Sequence, residues 1–157
     1  MIREAEPKDA PRISALLRQV LEVHAKIRPD LFLSGRQKYS QAEVAALLEQ
    51  PDCIIFVETD ETDAAVGYCI CYRREIPDGQ FARVGRKELY IDDLCVDETQ
   101  RRTGVARRLF THVKAYAKEN GYAWLTLNVW EGNDGALAFY RAMEMQPRST
   151  TLELPIA

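Results

Sequence analysis

No stretch of this chain approaches the roughly 18 consecutive apolar residues that a membrane span requires. Its first residues, Met1-Ile2-Arg3-Glu4-Ala5-Glu6, also lack the apolar core of a secretion signal. A soluble, cytoplasmic protein with no membrane partner is the expectation. Histidine is scarce, at 2 residues in 157, and none of the 4 cysteines (Cys53, Cys69, Cys71, Cys95) forms a C-x-x-C pair near a histidine. That removes the usual pattern for a structural zinc site, so no metal is expected. The cysteines lie in apolar, strand-like runs and read as buried, reduced thiols. The interleaved basic and aromatic residues of a nucleic-acid binder are missing too, and the net charge of −3 repels phosphate backbones. Internal repeats and low-complexity segments are absent.

What is present is a chain of 157 residues, 46% hydrophobic, long enough for one core and short for two, which predicts a single domain over 1–157. The charge is unevenly spread: residues 52–97 carry a net −6 and residues 98–121 a net +4. An acidic stretch running directly into a basic one suits a cationic substrate beside an anionic cofactor, and equally two ordinary solvated faces.

Residues 2–5 can form a first strand, and Asp9 with Pro11 starts a helix carrying Ile13, Leu16, Leu17, Val20 and Leu21 at helical spacing. A second helical pattern runs from Gln41 to Leu48 and stops at Pro51. Cys53–Glu58 and Val66–Tyr72 are β-rich runs joined by a turn at Thr59–Asp63, and a loop over Glu75–Lys87 precedes a further strand, Leu89–Val96. That strand contains Asp92 and Asp93, which regular alternation would send to opposite faces. From Val105 a strongly amphipathic helix runs to Gly121, followed by a strand over Ala123–Val129, completing a βαβ unit. Asn133 can cap a short helix through Tyr140, and Thr150–Leu154 can add a last strand.

The informative junction is Val96-Asp97-Glu98-Thr99-Gln100-Arg101-Arg102-Thr103-Gly104-Val105-Ala106, a strand leading through a polar turn into a helix. Unbonded N–H groups at the helix start, the helix dipole and the small residues Gly104 and Ala106 make an anion site with Arg101 and Arg102 beside it. The order Leu94-Cys95-Val96 followed by Arg101-x-x-Gly104-x-Ala106 resembles the coenzyme A-binding signature of the GNAT acetyltransferases, R/Q-x-x-G-x-G/A. Asn133 and the Phe139-Tyr140 dyad resemble that family's second conserved region. Arg102 stands where the family commonly has glycine, and Glu144-Met145 stands where Gly-Phe is usual.

The resemblance implies an α+β (α/β) fold: a mixed, mostly antiparallel sheet flanked by about four helices, with a splayed strand pair at the acetyl-CoA site. It implies an N-acetyltransferase that moves an acetyl group from acetyl-CoA to a primary amine by direct attack. In this reading Leu94, Cys95 and Val96 present main chain to the thioester and pantetheine, and the Leu94 N–H stabilises the oxyanion. Arg101, Arg102, Thr103, Gly104, Val105 and Ala106 cradle the pyrophosphate, Asn133 contacts the pantetheine arm, and Tyr140 is the general acid toward the leaving thiolate. Asp92 is the preferred residue to hold the amine and take its proton, while Asp93 and His24 are further acceptor contacts; solvation or ion pairing explains Asp92 almost as simply, and a surface or packing role explains His24 more simply. The acceptor implied is a small-molecule amine. A protein or peptide amine, a longer acyl donor and a catalytically silent acyl-CoA-binding module are the alternatives. A homodimer is compatible with the sequence, which does not fix it.

Overall fold

The computed structural model describes residues 1–156. Its elements are β1 (Ile2–Glu4), α1 (Ala10–Ile27), α2 (Gln41–Leu48), β2 (Cys53–Thr59), β3 (Ala65–Ile76), β4 (Arg86–Val96), α3 (Val105–Glu119), β5 (Trp124–Leu127) and α4 (Asp134–Ala142). The strands form one 5-stranded sheet in the order β1-β2-β3-β4-β5. All neighbours are antiparallel except β4 and β5, which the α3 crossover makes parallel.

Side-chain alternation along the central strands divides the core into two layers. On one face Ile55, Val57, Tyr68, Ile70 and Cys95 pack under Ile13, Leu16 and Leu17 of α1 and Val44 and Leu47 of α2. On the other, Ile54, Phe56, Cys69, Cys71, Leu89 and Ile91 meet Val105, Leu109, Phe110 and Val113 of α3. Gly67 permits that second contact, because a Cβ there would lie 2.8 Å from Val105 Cγ1 and 3.1 Å from the Cys95 carbonyl. Ser40 and Glu43 close a reciprocal capping box at the start of α2, and Asn133 Oδ1 accepts the Ala136 N–H at 3.3 Å at the start of α4.

The expected elements are present with two differences. The loop after β3 shrinks to residues 77–85, because β3 and β4 extend each other's ladder from Arg73–Leu89 to Ile76–Arg86. The last strand expected at Thr150–Leu154 does not form: residues 146–156 have no hydrogen-bonded element, and Leu152 and Leu154 are exposed. Alternating sequence alone cannot make a strand without a partner edge at the right distance.

Both sequence departures noted above have one physical origin. Arg102 (φ 65°) and Glu144 (φ 68°) each adopt the left-handed conformation that glycine enters without strain. Glu144 follows the end of α4, where Met145 N–H bonds the Tyr140 carbonyl at 3.0 Å, and its ion pair among the described residues is an exposed contact to Lys114 at 3.6 Å. Glu144→Gly should therefore stabilise the protein by about 1 kcal/mol, raising Tm by roughly 2–4 °C in a thermal melt; an unchanged or lower Tm would show that the left-handed turn carries no strain.

Candidate active site

The register between β3 and β4 slips between Ile70–Asp93 and Cys71–Ile91, leaving Asp92 as an extra, unpaired residue. Below the bulge Ile91 faces the α3 layer; above it Cys95 faces the α1 layer. The extra residue thus resets the alternation and puts Asp92 and Asp93 on the same α1 side, where a regular strand would separate them. The bulge also decides where main chain is free. Asp97 N–H bonds the Val66 carbonyl at 2.8 Å, so the pairs Tyr68–Cys95 and Ile70–Asp93 exchange hydrogen bonds with β3. Leu94 and Val96 stand between them and aim their N–H and C=O groups away from β3. On that side β5 has already ended, its last pair being Ile91–Leu127. The strands part here, and Leu94 and Val96 face a gap.

The gap opens into a groove of about 200 Å³ lined by Val20 and Val23 of α1, Leu94–Val96, Arg101, Ala106, and Ala136, Phe139 and Tyr140 of α4. Cys95 contributes only main chain. Its side chain is buried toward the Leu16 carbonyl, and burial pushes its thiol up to about 12. Tyr140 leans on Phe139 and Phe110, with ring centroids 5.1 and 6.1 Å away. Its phenol is held above the ordinary tyrosine range by burial first, then by Cys69, Asp93 and Cys71, so it stays protonated at neutral pH. Asn133 lies at the start of the same helix with Oδ1 committed to the cap.

At the far end of the groove is the turn into α3. Gly104 is its N-cap at φ 87°, and the first helical bond is Arg108 N–H to the Gly104 carbonyl at 3.0 Å. The N–H groups of Val105, Ala106 and Arg107 therefore have no partner within the helix. Arg101, Arg102, Thr103 and Gly104 are exposed, and neither arginine is ion-paired among the described residues. Arg108 instead binds the buried Glu58 at 2.6 Å and the Thr103 carbonyl at 3.0 Å, pinning the turn. Asp97 fixes its other end by accepting from Thr99 N–H at 2.9 Å and by pairing with Arg12.

The acids on the α1 side are unequal. Asp92 Oδ2 is 2.6 Å from Lys38 Nζ, in the α1–α2 connection. Burial opposes the Lys38 charge, but the bond to Asp92 and the fields of Asp92, Tyr39 and Asp93 outweigh it, and the ammonium is held above its ordinary range. Asp93 has no ion pair among the described residues and is densely surrounded though still partly accessible. Burial, with the charge of Asp92, raises its carboxyl to about 7 against the opposing field of Lys38. The buried Tyr68 hydroxyl lies beside this carboxylate, close enough to favour its charged form, without a hydrogen bond of good geometry. The Leu94 N–H favours the charged form in the same way.

His24 does not stand alone. It stacks on Phe32 at 5.3 Å, Phe32 meets Trp130 edge-on at 5.2 Å, and burial followed by the charge of Lys38 keeps the imidazole below its ordinary range. Lys38 and Tyr68 were invisible as site residues in the sequence. A lone lysine between two helices carries no pattern, and Tyr68 reads as core.

Asp93 generates a stability prediction. With a folded value near 7 and an unfolded value near 4, the carboxyl is ionised in the unfolded chain but protonated in the folded one between those limits. The unfolded state then binds fewer protons, so folding stability from this group falls as pH rises through that window and stays low above it. Asp93→Asn removes the titration. Its urea midpoint should rise relative to the parent between pH about 4 and about 7 and then hold a constant lead. Parallel midpoints across that range would mean that Asp93 ionises in the fold as freely as in water.

Comparison with known proteins agrees with this architecture. The curated N-acetyltransferase YhfO of Bacillus subtilis (strain 168), itself uncharacterised, is 29% identical over 140 residues, covering 88% of this chain and 85% of that protein. The crystal structure of a tetramutant of the BH1408 protein from Bacillus halodurans superposes with a TM-score of 0.93 at 31% identity, over 99% of each chain. An aminoglycoside acetyltransferase from a soil metagenomic sample, meta-AAC0020, solved with sisomicin, shares the fold at a TM-score of 0.70 and 20% identity, over 100% of this chain and 95% of that one. The Acetyltransferase (GNAT) family model matches residues 17–145. With its sheet, crossover helix and matching sequence over most of its length, the chain belongs to the GNAT acetyltransferase family and is an acyltransferase.

Proposed function

We infer that the protein transfers an acetyl group from acetyl-CoA to the primary amine of a small cationic acceptor. The carrying observation is the strand gap: Leu94 and Val96 present unpaired main chain in a groove that ends on the free N–H groups of α3. The residues present fit the donor. Gly104, Ala106 and Ala136 leave room beside the backbone, and the N–H groups of residues 105–107 with Arg101 and Arg102 supply five donor groups for a pyrophosphate. Val96 main chain and the amide NH₂ of Asn133, whose Oδ1 is committed to the helix cap, suit the polar arm between phosphate and thioester.

At the reacting end Leu94 N–H donates toward the thioester carbonyl oxygen and stabilises the negative charge that grows there as the amine attacks. Tyr140, still protonated at neutral pH, gives its proton to the departing thiolate. The reading assigns the base to Asp93 in place of Asp92. Asp92 is engaged by Lys38, whereas Asp93 carries no cation partner and is poised near 7, where an acid can take and return a proton. Asp92 keeps a binding role: an incoming ammonium replaces Lys38 on it. The aromatic set His24, Phe32 and Trp130 forms an apolar wall for the body of the acceptor.

The decisive experiment is thiol release from acetyl-CoA in a screen across polyamines, amino acids, aminoglycosides and peptides. No turnover with any amine, together with tight acetyl-CoA binding, would instead favour a silent binding module.

Two variants test the assigned roles. kcat/KM for the best acceptor should rise with pH through a limb near 7 that belongs to Asp93. Asp93→Asn should erase that limb and lower kcat by roughly 10²-fold or more with little change in acetyl-CoA affinity. A limb that persists in the variant assigns it to another group. Tyr140→Phe should lower kcat toward the lower end of the roughly 10²–10⁴ range, because a thiolate is a fair leaving group even without a proton. Parent-rate turnover with chemistry rate-limiting would make Tyr140 a packing group.

A further inference from the structure

Lys38 occupies the seat that the proposed function gives to a substrate. Its ammonium lies 2.6 Å from Asp92 Oδ2, on the acid expected to receive the acceptor's amine, and its side chain is 41% exposed. Lys38 also carries the group that an N-acetyltransferase acylates, a primary amine, on a flexible four-carbon stem. Other lysines are engaged elsewhere: Lys8 by Glu6 and Asp63, Lys87 by the Asn120 carbonyl, and Lys114 by Glu144.

The groups around this amine are those assigned to the transfer. The charge of Lys38 acts on the Asp93 carboxyl, the Leu94 N–H acts on that same carboxyl, and Asp93 in turn acts on the Tyr140 phenol. Toward α1, Lys38 acts on His24, the residue after Val23 in the groove wall. Amine, base, acid and oxyanion donor therefore converge where the groove meets the bulge of β4. Two residues of strand, about 7 Å, separate Asp92 from Leu94. The stem of Lys38 starts from a fixed point, because Ser14 Oγ donates to the carbonyl of the next residue, Tyr39, at 3.0 Å, and Ser40 caps α2. From there rotation about the side-chain bonds carries Nζ off Asp92 toward Leu94.

We propose, resting on the acetyl-transfer reading above, that Lys38 is itself an acceptor: the chain acetylates its own Lys38 Nζ with the acetyl-CoA it has bound. The Lys38 ammonium gives one proton to the Asp93 carboxylate, which passes it to solvent. Nζ then forms the C–N bond at the thioester carbon while the Leu94 N–H holds the growing negative charge on oxygen. The C–S bond breaks with its electron pair on sulfur, Tyr140 protonates that thiolate, and the second amine proton restores the tyrosine through water. The products are an Nε-acetyl-lysine, coenzyme A and one proton. The new amide carries no charge, so Asp92 loses its cation and lies open to the ammonium of the next acceptor. A small acceptor and Lys38 compete for the same acids, so Lys38 is modified when donor is bound and acceptor is scarce.

Peptide mass spectrometry of the full chain, before and after incubation with acetyl-CoA and no other amine, reads acetyl occupancy at each lysine. Lys38 should be acetylated faster than the exposed Lys114 and Lys118 by roughly 10²-fold or more, the gain that positioning beside a base supplies. Its rate should not depend on protein concentration. Excess coenzyme A should slow Lys38 and leave Lys114 and Lys118 as they were. Acetylation of Lys38 at the pace of those two lysines, or indifferent to excess coenzyme A, is chemical modification from solution and overturns the proposal. A rate that rises with protein concentration overturns it as well, by making one molecule the substrate of another. The thiol-release screen, run in parallel, separates the two readings if Lys38 stays unmodified. Turnover of an added amine then sinks self-acetylation alone, whereas no turnover sinks the acetyl-transfer reading with it.

Discussion

The extra residue at Asp92 is the constraint on which the site depends. In an unbulged β4 continuing the register of Ile91, Asp92 and Asp93 would fall on opposite faces and Leu94 would bond back to β3. A single insertion thus does two jobs together. It turns the main chain of Leu94 and Val96 toward the gap beyond Leu127, and it gathers two carboxylates on the α1 side. The acidic α1 side and the basic turn near α3 are consequently served by opposite aspects of one strand. Side chains point to one region and main chain to the other.

This separation accounts for part of the uneven charge along the chain: Asp92 and Asp93 of the acidic stretch lie on the α1 side and Arg101 and Arg102 of the basic one on the turn, while Glu58 and Arg108 bring the two stretches together in an ion pair. Like-charge repulsion between Asp92 and Asp93 is relieved by Lys38, whose field lowers the Asp93 value even as burial raises it. Without that lysine, burial and the neighbouring Asp92 charge would hold the Asp93 carboxyl higher still. Lys38 is therefore a positioning cation: it holds the Asp92 carboxylate at 2.6 Å and leaves Asp93 within reach of a neutral-pH titration.

Much of this was legible in the sequence where the signal is periodic or local. The apolar stripe of α3, the small residues at Gly104 and Ala106, and the βαβ order are written in spacing that any neighbour would respect. The Asp92–Asp93 pair was legible as an anomaly, two acids inside a strand, but not its resolution, because a bulge depends on the register of β3 against β4 and leaves no mark of its own. Lys38, Tyr68 and the Phe32–Trp130 contact were illegible because they converge only through long-range packing. Thr150–Leu154 misled for the opposite reason. Its local pattern is that of a strand, but the chain does not supply it with an edge.

The two halves of the site also differ in how firmly they are held. The turn into α3 is clamped from both ends, by Arg108 on buried Glu58 and by Arg12 on buried Asp97, and Asp97 in turn holds Thr99. Arg12 also donates to the Ala65 carbonyl at 2.9 Å, so helix α1, strand β3 and the turn move as one body. The side bearing Lys38 rests on the connection between α1 and α2, residues 28–40, held by exposed bonds such as Glu22 to Ser34 and Arg18 to Gln37, by the ion pairs of Arg28 and Lys38, and near its end by Ser14 donating to the Tyr39 carbonyl at 3.0 Å. Exposed pairs of this kind contribute little and exchange readily with water or ligand. A rigid cradle for an invariant donor beside a loosely fastened wall for the acceptor lets the acceptor change without disturbing the groups that perform the transfer. Under the proposed function, acceptor choice falls to residues 28–40, where Lys38 and Phe32 reside, and the chemistry to β4 and α4.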